Sequence, residues 1–284
     1  MFVFKAAVVG AGTMGGEIAF VIASADLPVV LVDIDRDALN RGVDKARSLW
    51  QAQVQAGKLD AAEAERRLGL IAAATDYAQL GDVDFVIEAV PERMEIKQGV
   101  FAELDAATPS SAILATNTSS LSITEIGEAT TRPDQVVGFH FGFPASESRM
   151  LEVIEGEDTS AQTAQSAVNF AQTLRKLPTR SADAPGFVIN RILNAAASEL
   201  WRAHEESGLD AQAFDALISE SPNSGPYGPF LVADFLGIDT VVHVAEHLRE
   251  SHGDRFYVHR GMQALVAEGH VGVKSGKGFY EHGG

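Results

Sequence analysis

Three glycines, Gly10, Gly12 and Gly15, follow the apolar run 3–9 (VFKAAVV) and open a stretch with helical apolar spacing at 13–25. Their G-x-G-x-x-G pattern suits a diphosphate. The first glycine permits a tight turn, the second lets the backbone approach the ligand, and the third lets the helix pack close to the strand. A helix starting there also offers unpaired N–H groups and the positive end of its dipole. Alone, the pattern is weak, because a structural glycine turn reads the same. Asp33 supplies the second half. It ends another apolar run, 27–35 (LPVVLVDID), where a carboxylate about twenty residues on can accept from both ribose hydroxyls. The turn therefore implies a dinucleotide, and a carboxylate that repels a 2′-phosphate implies NAD over NADP. Arg36, close by, weighs the other way.

Further elements must position such a turn. Apolar runs recur at 84–91 (DFVIEAVP), 112–120, 136–144 (VVGFHFGFP) and 150–160, separated by helical stretches at about 94–106, from Ser122 with Glu125 three residues on, and at 160–178. Strands alternating with helices predict a mostly parallel sheet covered on both faces. Two alanine-rich helices are expected to fill 36–73, turning near Gly57, with a D-A-A-E capping pattern at Asp60. Beyond Ala184-Pro185-Gly186 strand signals nearly vanish, and helices are expected at 187–206, 211–218, 230–249 and 258–268, broken by the loop SPNSGPYGP at 221–229. The fold class is thus α/β: a Rossmann-type doubly wound sheet over 1–184 carrying a helical hairpin insertion, then a C-terminal all-helical domain over 185–284.

Composition narrows the function. The 284 residues carry a formal net charge of −17, which disfavours nucleic acid and anionic membrane surfaces as partners. With no cysteine, thiolate metal sites and cysteine nucleophiles are excluded, and the eight histidines form no H-E-x-x-H motif, so no metal site is expected. No apolar run is long enough to span a membrane and no leader pattern precedes the glycine turn, so a cytoplasmic setting is expected. Residues 36–67 hold seven Lys/Arg against five Asp/Glu, a local balance of +2 that would draw an anion, although a solvated mixed-charge hairpin reads the same way.

Several stretches together resemble one family, the L-3-hydroxyacyl-CoA dehydrogenases: GAGTMG, VIEAVPERMEIKQGVF, ILATNTSSLSITEI, VVGFHF, LEVIEGEDTS, DAPGFVINRIL, GPYGPFLVADFLGIDT and VKSGKGFYEH, in order along essentially the whole chain. The resemblance implies NAD-dependent, reversible oxidation of an (S)-3-hydroxyacyl-CoA to the 3-oxoacyl-CoA. It assigns His140 as the base, oriented by Glu152 twelve residues later, with Asn190 holding the pair and Ser119 hydrogen-bonded to the substrate oxygen. Imidazole, with an ordinary pKa of about 6.5, suits the removal of a hydroxyl proton while hydride leaves. For the cofactor the resemblance adds Glu92, Lys97 and Lys274. For coenzyme A it points to the basic hairpin, with Ser48 and Lys58 as contacts and Lys45 and Arg47 helping to attract the anion. It also implies a homodimer through the helical domain, whose long first helix carries apolar positions 189, 192, 193, 196 and 200 on one face and is expected to line the active cleft.

Two positions depart from the family. His140-Phe141-Gly142-Phe143-Pro144 replaces the usual H-F-F-N-P, exchanging an amide for Phe143, with Gly142 beside it expected to let the backbone move. Gln55 stands where a coenzyme A-contacting lysine is expected, with Lys58 one helical turn on as a substitute. These changes keep two alternatives open: a free hydroxy acid or a carrier-protein thioester as substrate. The 6-phosphogluconate type of dehydrogenase shares the glycine opening but needs a lysine on the helix GFVINRILNAAASELW, which has none. A non-catalytic dinucleotide-binding protein is the reading from another class; the polar set His140, Glu152, Asn190 and Ser119 argues against it, since packing alone does not require it.

Overall fold

The computed structural model describes residues 2–221 and 227–283; most of the loop expected at 221–229 lies outside the described residues. In chain order the first part contains β1 (Ala6–Val9), α1 (Gly15–Ser24), β2 (Val29–Val32), α2 (Arg36–Gln55), α3 (Ala61–Leu68), β3 (Ile71–Ala74), β4 (Phe85–Glu88), α4 (Met94–Ala107), β5 (Ile113–Thr116), α5 (Ile123–Gly127), β6 (Val136–Phe141), β7 (Met150–Glu155), α6 (Ala161–Thr173) and β8 (Leu177–Ala182). The second part contains α7 (Ile189–Ser207), α8 (Ala211–Ser219), α9 (Pro229–Leu236), α10 (Ile238–His252) and α11 (Arg260–Ala267). Contacts divide the chain into Met1–Phe187 and Val188–Gly284.

The eight strands form one sheet in the order β3-β2-β1-β4-β5-β6-β7-β8, a Rossmann-type arrangement. Strands β1 to β6 run parallel, β7 runs antiparallel to β6, and β8 runs parallel to β7. The central strands β1, β2, β4 and β5 are buried at every position, as near-continuous apolar runs must be when helices cover both faces. One face packs Phe85, Phe139 and Phe170 against α1, α2 and α6; the other packs Phe101, Leu104, Ile126 and Phe187.

Four local expectations are corrected. The helical hairpin ends before 73, because Ile71-Ala72-Ala73-Ala74 forms β3. Alanine favours helix, but α3 stops at Gly69 and pairing with β2, Val29 opposite Ile71, overrides propensity. Helix α6 stops at Thr173, and LPTRSA becomes β8, a largely exposed edge strand that tolerates Pro178. The helix expected at 230–249 is two, broken at Gly237, whose φ of 92° is left-handed. Asp60 precedes α3 without a side-chain cap bond; the capping carboxylate is Asp35, which accepts from Asp37 N–H at 2.8 Å at the start of α2.

The helical unit has its own core of Trp201, Phe214, Phe230, Ile238, Val242 and Met262. Two buried carboxylates organise it. Asp215 accepts from the N–H groups of Phe230 and Leu231 at the start of α9, and Asp234 accepts from those of Phe279 and Tyr280, docking the C-terminal tail. His259 caps α11 by accepting from Met262 N–H at 3.1 Å through Nδ1, which leaves the proton on Nε2 to donate to His204 Nδ1 at 3.0 Å. Burial lowers the His259 imidazole from 6.5 to about 4. The unfolded chain therefore binds the proton first, so this contribution to stability is complete above about pH 6.5 and is lost as the pH falls from 6.5 towards 4. Accordingly, the melting temperature of the His259→Asn variant, which keeps a capping oxygen, should decline less than that of the unsubstituted chain between pH 7 and 4.5 in parallel thermal scans; equal declines would show that His259 is not the titrating group.

Candidate active site

At the glycine turn the backbone leaves no room for side chains. A Cβ on Gly10, whose φ is +97°, would lie 2.6 Å from the Ala89 carbonyl oxygen, and one on Gly15 would lie 1.8 Å from that of Gly10, whereas nothing stands within 4 Å of the Cβ direction at Gly12. Gly12 thus presents open backbone beside the start of α1, which has no side-chain cap. Asp33 follows β2 and accepts from Ala11 N–H at 2.8 Å through Oδ2, which ties the end of β2 to the turn. These features fit a dinucleotide: a tight turn, an open approach to backbone, uncapped helix N–H groups and a carboxylate beside them.

Beside the turn lies a buried charge network. Lys97, on the first turn of α4, is 1% exposed, and its ammonium donates to Glu88 at 2.8 Å and lies 3.2 Å from Glu92. Glu88, at the end of β4 and fully buried, also accepts from Thr116 Oγ1 at 2.6 Å and from Val90 N–H at 2.7 Å. Glu92 in turn accepts from Thr118 Oγ1 at 2.7 Å, and from Ser119 through its N–H at 2.8 Å and its hydroxyl at 3.1 Å. Partial burial pushes the Glu92 carboxyl up, but the Lys97 charge and the Thr118 and Ser119 hydrogen bonds outweigh it and hold the group below its ordinary value. The structure therefore brings Glu92, Lys97 and Ser119 together. The ammonium expected at the cofactor is engaged by Glu88, Glu92 and the Val90 carbonyl.

The second cluster is made by the sheet itself. In the antiparallel β6–β7 pair His140 stands opposite Glu152, so a spacing of twelve in sequence becomes direct juxtaposition. Phe139 and Phe141 point into the core on one face and His140 to the other, as a period of two demands. His140 Nδ1–H donates to Glu152 Oε2 at 2.8 Å; a carboxylate oxygen only accepts, so Nδ1 holds a proton, and in the neutral ring Nε2 presents its lone pair. Glu152 is fully buried, and the Phe187 ring centre lies 6.0 Å from that of His140. The Asn117 side chain, at the end of β5, accepts from Phe141 N–H at 3.0 Å and fixes the strand end beside the histidine.

Two family models match in tandem: "3-hydroxyacyl-CoA dehydrogenase, NAD binding domain" over residues 5–184 and "3-hydroxyacyl-CoA dehydrogenase, C-terminal domain" over 186–282. The chain belongs to the 3-hydroxyacyl-CoA dehydrogenase family. It is 37% identical over 277 residues, 97% of its length, to 3-hydroxyadipyl-CoA dehydrogenase of Escherichia coli K12, and 36% identical over 278 residues to the fatty acid oxidation complex subunit alpha of Pseudomonas syringae pv. tomato. It spans 58% of the first relative and 38% of the second. The crystal structure of (S)-3-hydroxybutyryl-CoA dehydrogenase from Ralstonia eutropha superposes with a TM-score of 0.93 at 33% identity, each chain covering 100% of the other. As in other family members, the first domain is an NAD-binding domain.

Within this 3-hydroxyacyl-CoA dehydrogenase fold the departures take physical form. Phe143 is 62% exposed in the loop between β6 and β7. Gly142 lies close to the Ser148 side chain, since a Cβ there would lie 2.3 Å from Ser148 Oγ. Lys176 donates to the carbonyls of Ala145 and Ser148 at 2.5 and 2.6 Å, and Glu17 on α1 accepts from Ser146 N–H and Oγ at 3.0 Å, so this loop is held from two sides. On the hairpin, α2 ends at Gln55 and the chain turns at Gly57, so exposed Lys58 lies past the helix end and not one helical turn on from Gln55. The exposed Ser48 hydroxyl donates to the Asp44 carbonyl at 2.8 Å, Lys45 pairs with Glu17 at 3.2 Å, and Arg47 pairs with Asp44. Among the described residues Arg36, Arg41 and Lys58 are the hairpin cations without an ion pair.

In the helical unit, Asn190 lies on the first turn of α7, where its carbonyl accepts from Asn194 Nδ2 at 2.9 Å, and Lys274 pairs with Asp239 at 2.6 Å. Among the described residues no three His, Asp or Glu side chains are grouped to hold a metal, and no helix is long and apolar enough to cross a membrane. Sequence reasoning missed Glu88, Thr116, Thr118 and Asn117. A carboxylate closing an apolar strand is itself a signal, because an unpaired buried Glu is too costly to keep. Lys97→Met, which strands Glu88 without its cation, is expected to cost about 3–5 kcal/mol in denaturant unfolding, and adding Glu88→Gln should restore part of that loss. A single variant of unchanged stability would mean that the pair is not a buried unit.

Proposed function

We propose that the chain oxidises the 3-hydroxyl of (S)-3-hydroxyacyl-CoA esters to 3-oxoacyl-CoA, reversibly, with NAD as the hydride acceptor. The observation that carries this reading is the His140–Glu152 pair, set in register by β6 and β7. NAD, held by Gly10, Gly12, Gly15 and Asp33, supplies the acceptor carbon for the hydride. His140 Nε2 takes the hydroxyl proton as the C–H bond gives up its electron pair, and returns it in the reverse direction. Glu152, itself fully buried, keeps Nδ1 protonated and stabilises the imidazolium. Ser119, anchored to Glu92 through its N–H, turns its hydroxyl from Glu92 to donate to the reacting oxygen. Asn190 takes the role of steadying the histidine–glutamate pair, and Lys274 contacts the cofactor, both as the family resemblance implies.

Coenzyme A is read onto the hairpin through Ser48 and Lys58. A second reading, a free hydroxy acid or a carrier-protein thioester, is favoured by the pairing of Lys45 and Arg47, which leaves the hairpin few free cations, and by exposed Phe143. The proposal includes a homodimer, supported by Ile192 and Leu193, which are 63% and 55% exposed on α7, and a cytoplasmic setting, where acyl-CoA and NAD meet.

His140→Gln is expected to lower kcat by at least about 100-fold while leaving the Kd for NADH unchanged, read by steady-state rates and fluorescence titration. Turnover near that of the unsubstituted chain would remove His140 from the mechanism. NADH consumption measured with acetoacetyl-CoA, free acetoacetate and an acetoacetyl-carrier-protein thioester separates the substrates. The CoA ester is the expected substrate, and turnover confined to either of the others would overturn the CoA assignment.

A further inference from the structure

A cation-rich cavity lies in the unit Met1–Phe187, at the C-terminal end of α1, the other end of that helix from the glycine turn. Its volume is 470 Å³, and Arg67, Arg149, Arg175 and Lys176 line it against a single carboxylate, Glu147. In a chain with 22 Lys and Arg against 39 Asp and Glu, four cations to one anion around one cavity is the reverse of the overall balance.

Two features show that the cluster is built. Arg175 ends α6 with φ 58°, in the left-handed region, while Lys176 N–H returns to the Ala171 carbonyl at 2.9 Å. This is the helix stop that glycine fills without strain. An arginine there costs conformational energy, and its side chain lines the cavity. The neighbouring segment is fixed as well. The Arg149 carbonyl accepts from Leu177 N–H at 2.6 Å, which lays the start of β7 beside the start of β8 and brings the Arg149 and Arg175 segments together. Below them Lys176, 7% exposed, donates to the carbonyls of Ala145 and Ser148 and holds the loop that leads to Arg149. Arg67 comes from α3, its Nε oriented by Glu63 at 2.8 Å. Among the described residues neither Arg149 nor Arg175 has a carboxylate within ion-pair distance, so both guanidinium groups keep their donors for a ligand.

We propose that this cavity is a phosphate-binding site, distinct from the dinucleotide turn, in which Arg149 and Arg175 grip the phosphate group of a small metabolite or inorganic phosphate. Guanidinium forks match phosphate oxygens in pairs, and the Ser148 hydroxyl in the same wall, which accepts from Met150 N–H and keeps its own proton, adds a neutral donor. The inference rests neither on His140 nor on the acyl carrier.

The test uses the whole chain and inorganic phosphate as probe, with chloride at matched ionic strength as control, read by thermal shift and calorimetric titration. Phosphate should raise the melting temperature above the chloride control. Arg149→Gln and Arg175→Gly should each weaken phosphate binding by at least about tenfold. Arg175→Gly relieves the left-handed strain, so the same substitution should raise the melting temperature without phosphate by about 2–4 °C, which separates lost binding from lost folding. Both variants should keep turnover of the substrate. Equal responses to phosphate and chloride, or variants that respond as the unsubstituted chain does, would overturn the site. Saturating coenzyme A decides its separateness: a phosphate response that persists supports the proposal, and one that vanishes assigns the cavity to coenzyme A and defeats it.

Discussion

Antiparallel pairing of β6 with β7 places His140 against a carboxylate that no water reaches, and the candidate active site depends on that pairing. Every other contact between neighbouring strands of this sheet is parallel. A parallel neighbour reached through a helix would bring Glu152 beside β6 only after a long crossover. Reversing direction through a short loop sets both side chains on one face, where the pleat opposes them. The loop that makes the reversal is correspondingly well held, by Lys176 beneath it and Glu17 beside it. Backbone register thus does the work that a flexible side chain could not. It fixes the imidazole tautomer before any substrate arrives.

The same economy governs the serine. Ser119 sits on a connection after β5, where backbone is less constrained than in a strand, and its place is set by charge. Glu88 and Lys97 are both almost fully buried, which neither could be alone, and together they present Glu92 to the Ser119 N–H and hydroxyl. A buried pair contributes little net stability once desolvation is counted, so its value here is geometric. The histidine is positioned by a sheet and the serine by an ion network, and both sit at the carboxyl ends of strands, where open α/β sheets bind their ligands.

Much of this was legible because it lies in strong local patterns. The glycine turn, Asp33 and the central strands follow from apolar runs bounded by turn residues, and the histidine and glutamate from motif order. What escaped was set by tertiary contacts. Ile71-Ala72-Ala73-Ala74 has the composition of a helix and becomes a strand because β2 offers it a hydrogen-bonding edge. LPTRSA has no apolar alternation because an edge strand needs little, and β8 was invisible for that reason. Asp60 and Asp35 are equal as capping residues in sequence, yet Asp35 alone of the two makes side-chain cap bonds. Buried Glu88 and Lys97, nine residues apart across a strand end and a helix start, were readable as two charges and not as one pair.

The account is tested most directly by the protonation of one ring. In protein labelled with ¹⁵N-histidine, long-range proton–nitrogen correlation spectra at a pH where His140 is neutral report which ring nitrogen carries the proton, with His140→Gln assigning the signal. The geometry predicts a proton on Nδ1 and a bare Nε2, and a loss of that preference when Glu152 becomes Gln. A neutral His140 protonated on Nε2, or one whose tautomer ignores the Glu152 substitution, would contradict the claim that β6–β7 register prepares the base.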